Sequence, residues 1–134
     1  TDALARWLPE AGIDYRWDER LGGRRRRGPD DDPEGDRWWR VEAFRAYAAH
    51  TRTPEFLAAL DDLAADAAGR TTTAIMCSET VWWRCHRRLV ADAALLLRGI
   101  AVAHLAHDGR TTPHEPSEGA EVRGGELHYD AAGA

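Results

Sequence analysis

Two cysteines, a glutamate and a histidine have the clearest chemical potential in this sequence. Cys77 follows a short apolar segment, Glu79 comes two residues later, and Cys85 and His86 follow within the next turns of chain. A thiol between the end of a buried strand and the start of a helix feels the helix's partial positive charge, which lowers its pKa and favours the thiolate. We therefore predict that Cys77, Glu79 and His86 are catalytic, with Cys77 as the nucleophile and the other two in proton transfer.

Simpler interpretations of these residues stay open. Cys77 also fits as a small buried residue at the end of a strand, Glu79 as a carboxylate that only stabilises the first helical turn, and His86 as a brace for the loop. If Cys77 and Glu79 share a site, their repulsion raises both pKa values, which suits proton transfer better than thiolate attack. Cys85 falls on the core-facing stripe of the predicted helix, so its expected role is structural.

Arginines cluster next to these residues. Arg84 and Arg87 follow Cys77, and like charges this close repel each other unless an anion lies between them. Arg84 is the seventh residue after Cys77, so the CxxxxxR motif of phosphatases is not matched. We nevertheless predict that Arg84 and Arg87, with Trp83 beside them, bind a phosphate-bearing ligand.

A loop rich in glycine and arginine is the second candidate for ligand binding. Gly22-Gly23 allows a ligand to approach the backbone closely, and Arg24-Arg25 is suited to binding its phosphate. Trp38-Trp39 further along is suited to stacking on a base. The acidic run at residues 30–32 would equally neutralise the arginines within a solvated loop.

Metal binding is not predicted. The candidate ligands are Cys77, Cys85, His86, His104 and His107. No pair of them has the spacing of a zinc finger, and the adjacent Cys85 and His86 would point about 100° apart on a helix. The sequence indicates no cofactor either.

Composition limits the class of protein. The chain has 134 residues, 43% of them hydrophobic and 31% charged, which fits one soluble domain. The net charge of −5 argues against a protein that grips duplex DNA with its whole surface. All 18 cationic residues are arginine, which codon bias of a GC-rich genome explains without any role in phosphate binding. With no membrane-spanning segment and no signal peptide, the expected location is cytoplasmic, where two cysteines stay reduced.

The elements are predicted from periodicity and from residues that start and stop helices. Helices are expected from the N-terminus to Gly12, over 41–50, from Thr53 to Gly69 and over 79–98, where Arg88 and Asp92 would form an i,i+4 pair. Residues 13–17 alternate as a half-exposed strand, and 19–40 form a long loop rich in Arg and Asp.

The second half of the chain suggests the fold class. A buried strand at 72–76, the helix at 79–98 and a strand at 100–105 would form a βαβ unit, so the two strands should be parallel. A hairpin is expected at 120–129 around Gly124-Gly125. The predicted fold is therefore a single small three-layer α/β domain with a mostly parallel central sheet and a C-terminal hairpin or edge strand.

Several segments together resemble a known family, the domain of unknown function 488 family. They are Leu21-Gly22-Gly23-Arg24, Trp39-Arg40, Phe44-Arg45-Ala46-Tyr47-Ala48, Thr53-Pro54-Glu55-Phe56 and Met76-Cys77-Ser78-Glu79 through Trp82-Trp83-Arg84-Cys85-His86-Arg87-Arg88-Leu89-Val90-Ala91-Asp92. The resemblance implies a compact α/β domain with a parallel sheet and no established reaction. Its implied hallmark positions are Leu21 to Arg24, Tyr47, Cys77, Glu79, Cys85, His86 and Arg87, which adds Tyr47 to the candidate ligand-binding residues.

One departure from the family pattern bears on the site. Members usually begin with a strand carrying a Thr-x-Gly-His-Ser-like motif and a second strand ending in Asp-Val-Arg, and this sequence has neither. The chain is therefore expected to be an N-terminal truncation or to have lost these strands. If the site needs that His and Arg, the chain would be catalytically incomplete.

Three functional hypotheses remain. The first is a protein that binds a phosphate-bearing or nucleotide-like ligand near Cys77 and Glu79 and acts on it as a hydrolase or transferase. The second is a non-catalytic nucleic-acid-binding module that uses the arginine loop and Trp38-Trp39. The third is a structural or partner-binding domain. The sequence alone does not decide whether the protein is an enzyme, and it indicates no oligomeric state.

Overall fold

Helices form most of the regular structure. The computed structural model describes residues 2–69, 72–77 and 81–130. The helices within these ranges are α1 (Asp2–Glu10), α2 (Glu42–His50), α3 (Pro54–Ala67) and α4 (Arg87–Arg98). The strands are β1 (Ala103–Leu105), β2 (Thr111–Pro113), β3 (Glu121–Arg123) and β4 (Glu126–His128).

The core lies between α2, α3, α4 and the C-terminal hairpin. Tyr47 from α2, Phe56 and Leu60 from α3, Leu89 from α4 and Leu127 from β4 are all fully buried. Burying a large apolar side chain stabilises the fold by roughly 1.5–3 kcal/mol. The packing of these three helices therefore holds the start of α4 close to α2.

The helix at 53–69 is predicted correctly because its start is encoded locally. Thr53 is the N-cap of α3, its Oγ1 accepts a hydrogen bond from Phe56 N at 3.2 Å, and Pro54 occupies the first helical turn. Both features satisfy or remove backbone donors that a helix start leaves unpaired. α1 and α2 also lie where the sequence predicts them.

The predicted parallel sheet is wrong. Residues 72–77 form no regular element, those before Cys77 are exposed, and no described strand pairs with them. β1 instead pairs antiparallel with β2, which follows it directly across a turn at Gly109 with a φ of 85°. A short local hairpin loses less chain entropy than a crossover, so β1 pairs with its sequence neighbour. The strand predicted at 13–17 is also wrong, because these residues form an irregular segment that joins no ladder.

The C-terminal hairpin is confirmed. β3 and β4 pair antiparallel, and Gly124 and Gly125 between them have φ values of 58° and 76°, as the tight turn requires. The hairpin is tied to the middle of the chain through Asp36, whose carboxylate accepts from Tyr129 N at 3.0 Å and pairs with Arg52 at 2.7 Å.

The long helix predicted at 79–98 begins later than expected. Residues 82–84 form a 3₁₀ turn and α4 starts at Arg87, while 78–80 lie outside the described residues. The i,i+4 pair of Arg88 with Asp92 is also wrong, since Asp92 is buried and Arg88 Nε donates to Ser117 Oγ at 3.1 Å.

Candidate functional site

The start of α4 organises the thiols. His86 is the N-cap of α4 and Cys85 precedes it, so the first backbone amide of the helix, that of Arg87, faces the Cys85 sulfur. Cys85 Sγ accepts from Arg87 N at 3.3 Å and from Arg87 Nε at 3.4 Å. The sequence predicts that Cys77 lies at the N-terminus of a helix. In the structure the cysteine in that position is Cys85.

The two thiols are in direct contact. Cys77 Sγ and Cys85 Sγ are 2.9 Å apart, and His86 Nδ1 is 3.5 Å from Cys85 Sγ. Neither cysteine forms a disulfide, and Cys85 is buried while Cys77 is half-buried. Three residues thus make four hydrogen-bond contacts with one sulfur, and the two from Arg87 are donated to it.

These donors decide the ionisation of Cys85. Burial by itself would raise the pKa of the thiol, but the hydrogen bonds from His86, from the Arg87 amide, from Cys77 and from the Arg87 guanidinium outweigh it and lower the pKa of Cys85 to about 6. The same contact raises the pKa of Arg87, although its burial acts in the opposite direction. At pH 7 Cys85 is therefore mainly a thiolate, which is the nucleophilic form of cysteine.

Gly23 and Tyr47 position His86. A Cβ on Gly23 would overlap the His86 ring, coming within 2.9 Å of Cε1, so only glycine allows the imidazole to lie this close to the loop. Tyr47 is fully buried, its ring centroid is 5.2 Å from that of His86, and its hydroxyl donates to Leu21 O at 2.7 Å. Tyr47 therefore supports the loop and the imidazole from behind and does not face a ligand.

A cavity of about 330 Å³ opens over the thiols. We call it the thiol pocket, and its lining residues are Gly23, Arg24, Ala43, Phe44, Cys77, Arg84, Cys85 and His86. Two arginines from separate parts of the sequence therefore meet two thiols and an imidazole in one concave site.

The structure separates the remaining predicted site residues. Arg87 reaches the site through its hydrogen bonds to Cys85, whereas Arg25 Nε donates to Gly22 O at 3.1 Å and so braces the loop. Trp83 is half-exposed, packs edge-on against Trp82 and does not line the pocket. Glu79 lies outside the described residues, so its predicted role stays a prediction.

Cys77, Cys85 and His86 are also the one group of close potential metal ligands within residues 2–69, 72–77 and 81–130. Their ligand atoms all lie within 4.8 Å of one another. Two sulfurs on a tetrahedral zinc ion, each at about 2.3 Å, would be roughly 3.8 Å apart. The 2.9 Å between the two Sγ atoms is shorter than this separation. The absence of a metal stays a prediction.

Of the two tryptophans predicted to stack on a base, Trp39 is part of the core and Trp38 is partly buried against it. Trp39 is 4% exposed and packs against Phe44 and Tyr129, and its Nε1 has no hydrogen-bond partner among the described residues. The guanidinium of Arg88 lies over both indoles, 5.6 Å from the ring centroid of Trp38 and 4.9 Å from that of Trp39. Trp39 is therefore not available to stack on a base.

A second, larger cavity of about 530 Å³ lies elsewhere and contains none of the predicted site residues. It is lined by Asp30, Asp31, Asp32, Gly35, Arg52, Arg123, His128 and Asp130. Its two arginines are paired with Asp36 and Asp130, so little positive charge is left for an anion. The thiol pocket is therefore the better candidate site.

Sequence reasoning missed the role of Cys85, because a continuous helix from residue 79 would turn this side chain into the core. No helix-start signal in the sequence separates the 3₁₀ turn at 82–84 from α4.

The fold and the pocket define a small, mainly helical domain with a paired-thiol site. The family model described as domain of unknown function DUF488 matches residues 1–94, so the chain belongs to this family. Neither the curated proteins nor the solved structures contain a match to the chain.

Within the described ranges, no helix combines the length and the apolar character that crossing a membrane requires.

Proposed function

We propose that the protein binds a small phosphate-bearing ligand in the thiol pocket and that Cys85, not Cys77, is the reactive group. The observation that carries this proposal is the convergence of Arg24 and Arg84 with both thiols on one cavity. Arginine forms paired hydrogen bonds to phosphate oxygens, and a pocket of this size suits a ligand of a few tens of atoms at most.

The reaction class that the site supports is group transfer through a covalent cysteine intermediate, as in hydrolases and transferases. Cys85 Sγ would form a bond to the phosphorus or carbonyl carbon of the ligand while the bond to the leaving oxygen breaks with its electron pair. The Cys77 thiol or His86 would supply the proton that the leaving group needs. Water or a second acceptor would then take the group from sulfur and restore the thiolate.

A reducing, cytoplasmic location is consistent with this chemistry, because oxidation would consume the paired thiols. Nucleic-acid binding through the arginine loop is the second candidate, and it has less support because Trp39 is in the core. A purely structural or partner-binding domain is the third candidate, and it requires neither the thiolate nor the arginines of the pocket.

The test is the pH dependence of alkylation by iodoacetamide. In the Cys77→Ser variant, which keeps a hydrogen-bond donor beside Cys85, we expect the rate to rise with a midpoint near the pKa of Cys85, about 6. The Cys85→Ser variant should lose this reaction at acidic pH. A midpoint at or above roughly 8.5, the usual thiol value, would remove the thiolate from the proposal.

Ligand binding is tested by protection from the same reagent. Inorganic phosphate should slow alkylation of Cys85 more than chloride at equal ionic strength. Arg84→Gln should weaken this protection, whereas Arg110→Gln, which changes an arginine that is highly exposed and distant in sequence, should not. Equal effects of phosphate and chloride would contradict the anion site.

A further inference from the structure

The contact between Cys77 and Cys85 joins two side chains that the fold supports very differently. Cys85 is 5% exposed, and its backbone is held on both sides: its N–H donates to Trp82 O at 3.3 Å and its carbonyl accepts from Arg88 N at 3.0 Å. Cys77 is half-buried and follows residues 72–76, which are exposed and belong to no helix or strand. One sulfur is therefore fixed by the fold, whereas the other is carried by a segment outside the regular elements.

The two sulfurs are already close to bonding distance. Cys77 Sγ and Cys85 Sγ are 2.9 Å apart, and the S–S bond of a disulfide is about 2.05 Å long. The sulfurs therefore have to approach each other by less than about 1 Å to form this bond. The chain has two cysteines in all, so within one molecule each is the only possible disulfide partner of the other.

Cys85 has the environment of an oxidisable cysteine. Its hydrogen-bond contacts lower its pKa to about 6, so at pH 7 it is mainly the thiolate, the form that peroxides oxidise. Cys85 lines the thiol pocket, whose volume of about 330 Å³ admits a molecule as small as hydrogen peroxide. Hydrogen peroxide carries no charge, so its access to the sulfur does not require an anion site.

We propose that Cys85 is an oxidative modification site for small hydroperoxides and that Cys77 is its resolving thiol, so that the two form a reversible internal disulfide. This inference goes beyond the proposed function, since it uses the Cys85 sulfur but no phosphate-bearing ligand. The disulfide removes the nucleophile of the thiol pocket, so group transfer stops while the oxidant is present. It also protects Cys85 from further, irreversible oxidation.

The reaction has two steps. The Cys85 thiolate attacks one oxygen of the hydroperoxide, the O–O bond breaks, and the leaving oxygen keeps the electron pair and takes the proton of the Cys77 thiol. Cys85 is then a sulfenic acid and Cys77 a thiolate. Cys77 Sγ forms the S–S bond to Cys85 Sγ, and the hydroxide that leaves takes a proton from solvent. Two electrons thus pass from the two sulfurs to the peroxide, which ends as water, or as water and an alcohol for an organic hydroperoxide.

The same arrangement favours reversal of the disulfide. Cys77 is the more exposed sulfur, so an external dithiol reaches it first. Cys85 then leaves as a thiolate, which the amide and guanidinium of Arg87 stabilise. In thiol–disulfide exchange the thiol of lower pKa is the better leaving group. A disulfide between these residues is therefore easily reduced, as is typical of transient disulfides that respond to oxidants in reducing compartments.

The test is oxidation of the full chain by equimolar hydrogen peroxide at pH 7, followed by alkylation with iodoacetamide and mass spectrometry. We expect the native chain to lose two hydrogens and both alkylatable thiols, and to regain them after treatment with dithiothreitol. In Cys77→Ser the sulfenic acid on Cys85 should persist, react with dimedone and, with excess peroxide, become the irreversible sulfinic acid. Cys85→Ser should leave Cys77 reduced at the same dose of peroxide.

Measurements on the native chain alone can overturn the proposal. Sulfinic acid on Cys85, formed as readily as in Cys77→Ser, would show that Cys77 does not resolve the oxidised sulfur. Disulfide-linked dimers in place of the internal bond, or a chain that keeps both thiols, would overturn it as well. None of these results involves phosphate. A failed oxidation test combined with normal phosphate protection would therefore contradict the disulfide alone, and the opposite combination would contradict only the phosphate site.

Discussion

Cys85 combines burial with a large number of hydrogen-bond donors. A buried thiol is normally neutral, since moving a charge away from water is unfavourable. Here His86, Cys77 and two nitrogens of Arg87 replace that water, and the helix terminus adds its partial positive charge. Ionisation of Cys85 is therefore built into the folded structure and depends on how precisely each donor is held.

Gly23 gives a test of that dependence. We expect Gly23→Ala to displace the His86 ring, because the added methyl group would overlap it. Loss of the His86 contact should raise the pKa of Cys85, so the midpoint of its alkylation should move to higher pH by up to about one unit, the change that one hydrogen bond of about 1.4 kcal/mol produces.

Gly28→Ala is the matched control, because its added Cβ would meet its nearest neighbour, Asp31 Oδ2, at an ordinary 3.6 Å. An unchanged midpoint in a folded Gly23→Ala variant would mean that His86 does not determine the ionisation of Cys85.

For single residues, the sequence indicates which side chains could do chemistry more readily than it indicates the role of each one. The sequence predicts Cys77, His86, Arg24 and Arg84 as site residues because thiols, imidazole and arginines are chemically distinctive, and all four line the thiol pocket. It predicts the thiolate at Cys77, whereas the structure lowers the pKa of Cys85, because the outcome depends on where the helix begins. A shift of a few residues in the helix start changes which sulfur its amides face.

Among the elements, α3 shows how local signals define a helix. The Thr53 side chain caps the helix, whereas Val41 at the start of α2 makes no capping hydrogen bond. We expect Thr53→Ala to lower the free energy of unfolding by about 1 kcal/mol, because it leaves the Phe56 amide without its partner.

Urea denaturation measures this loss, and Val41→Ala is the comparison at a position with no cap to remove. Val41→Ala should cost clearly less. Similar losses at the two positions would show that packing, and not capping, sets the stability of these helix starts.

The strands show that a local sequence pattern does not predict which strands pair with each other. Residues 72–76 and 100–105 are apolar enough to predict strands, but pairing is a property of two segments and periodicity describes only one. The turn at Gly109 brings β2 back beside β1, so the neighbour in sequence becomes the partner. The Gly124-Gly125 hairpin was predictable because its partner and its turn lie in one short stretch.

For the whole molecule, the imidazoles predict how stability depends on pH. Burial lowers the pKa of both His50 and His104, the latter to about 4. Between pH 6.5 and 4 the unfolded chain binds more protons at these residues than the folded chain does. Stability should therefore fall as the pH is lowered through this window.

The free energy of unfolding at pH 7, 6 and 5 checks this expectation. His104→Gln should flatten the decline, and His107→Gln should leave it unchanged. A native protein that keeps its full stability down to pH 5 would show that these imidazoles are not held neutral by the fold.

The contact between Asp36 and Tyr129 has a consequence for how the molecule folds. The two residues are 93 positions apart, yet the hairpin they anchor also supplies the hydroxyl that Asp92 requires. Closing so long a loop is entropically costly and gains little until the helices are already packed. The hairpin should therefore dock late in folding, and until it does the Asp92 carboxylate lacks the Tyr129 hydroxyl and remains hydrated.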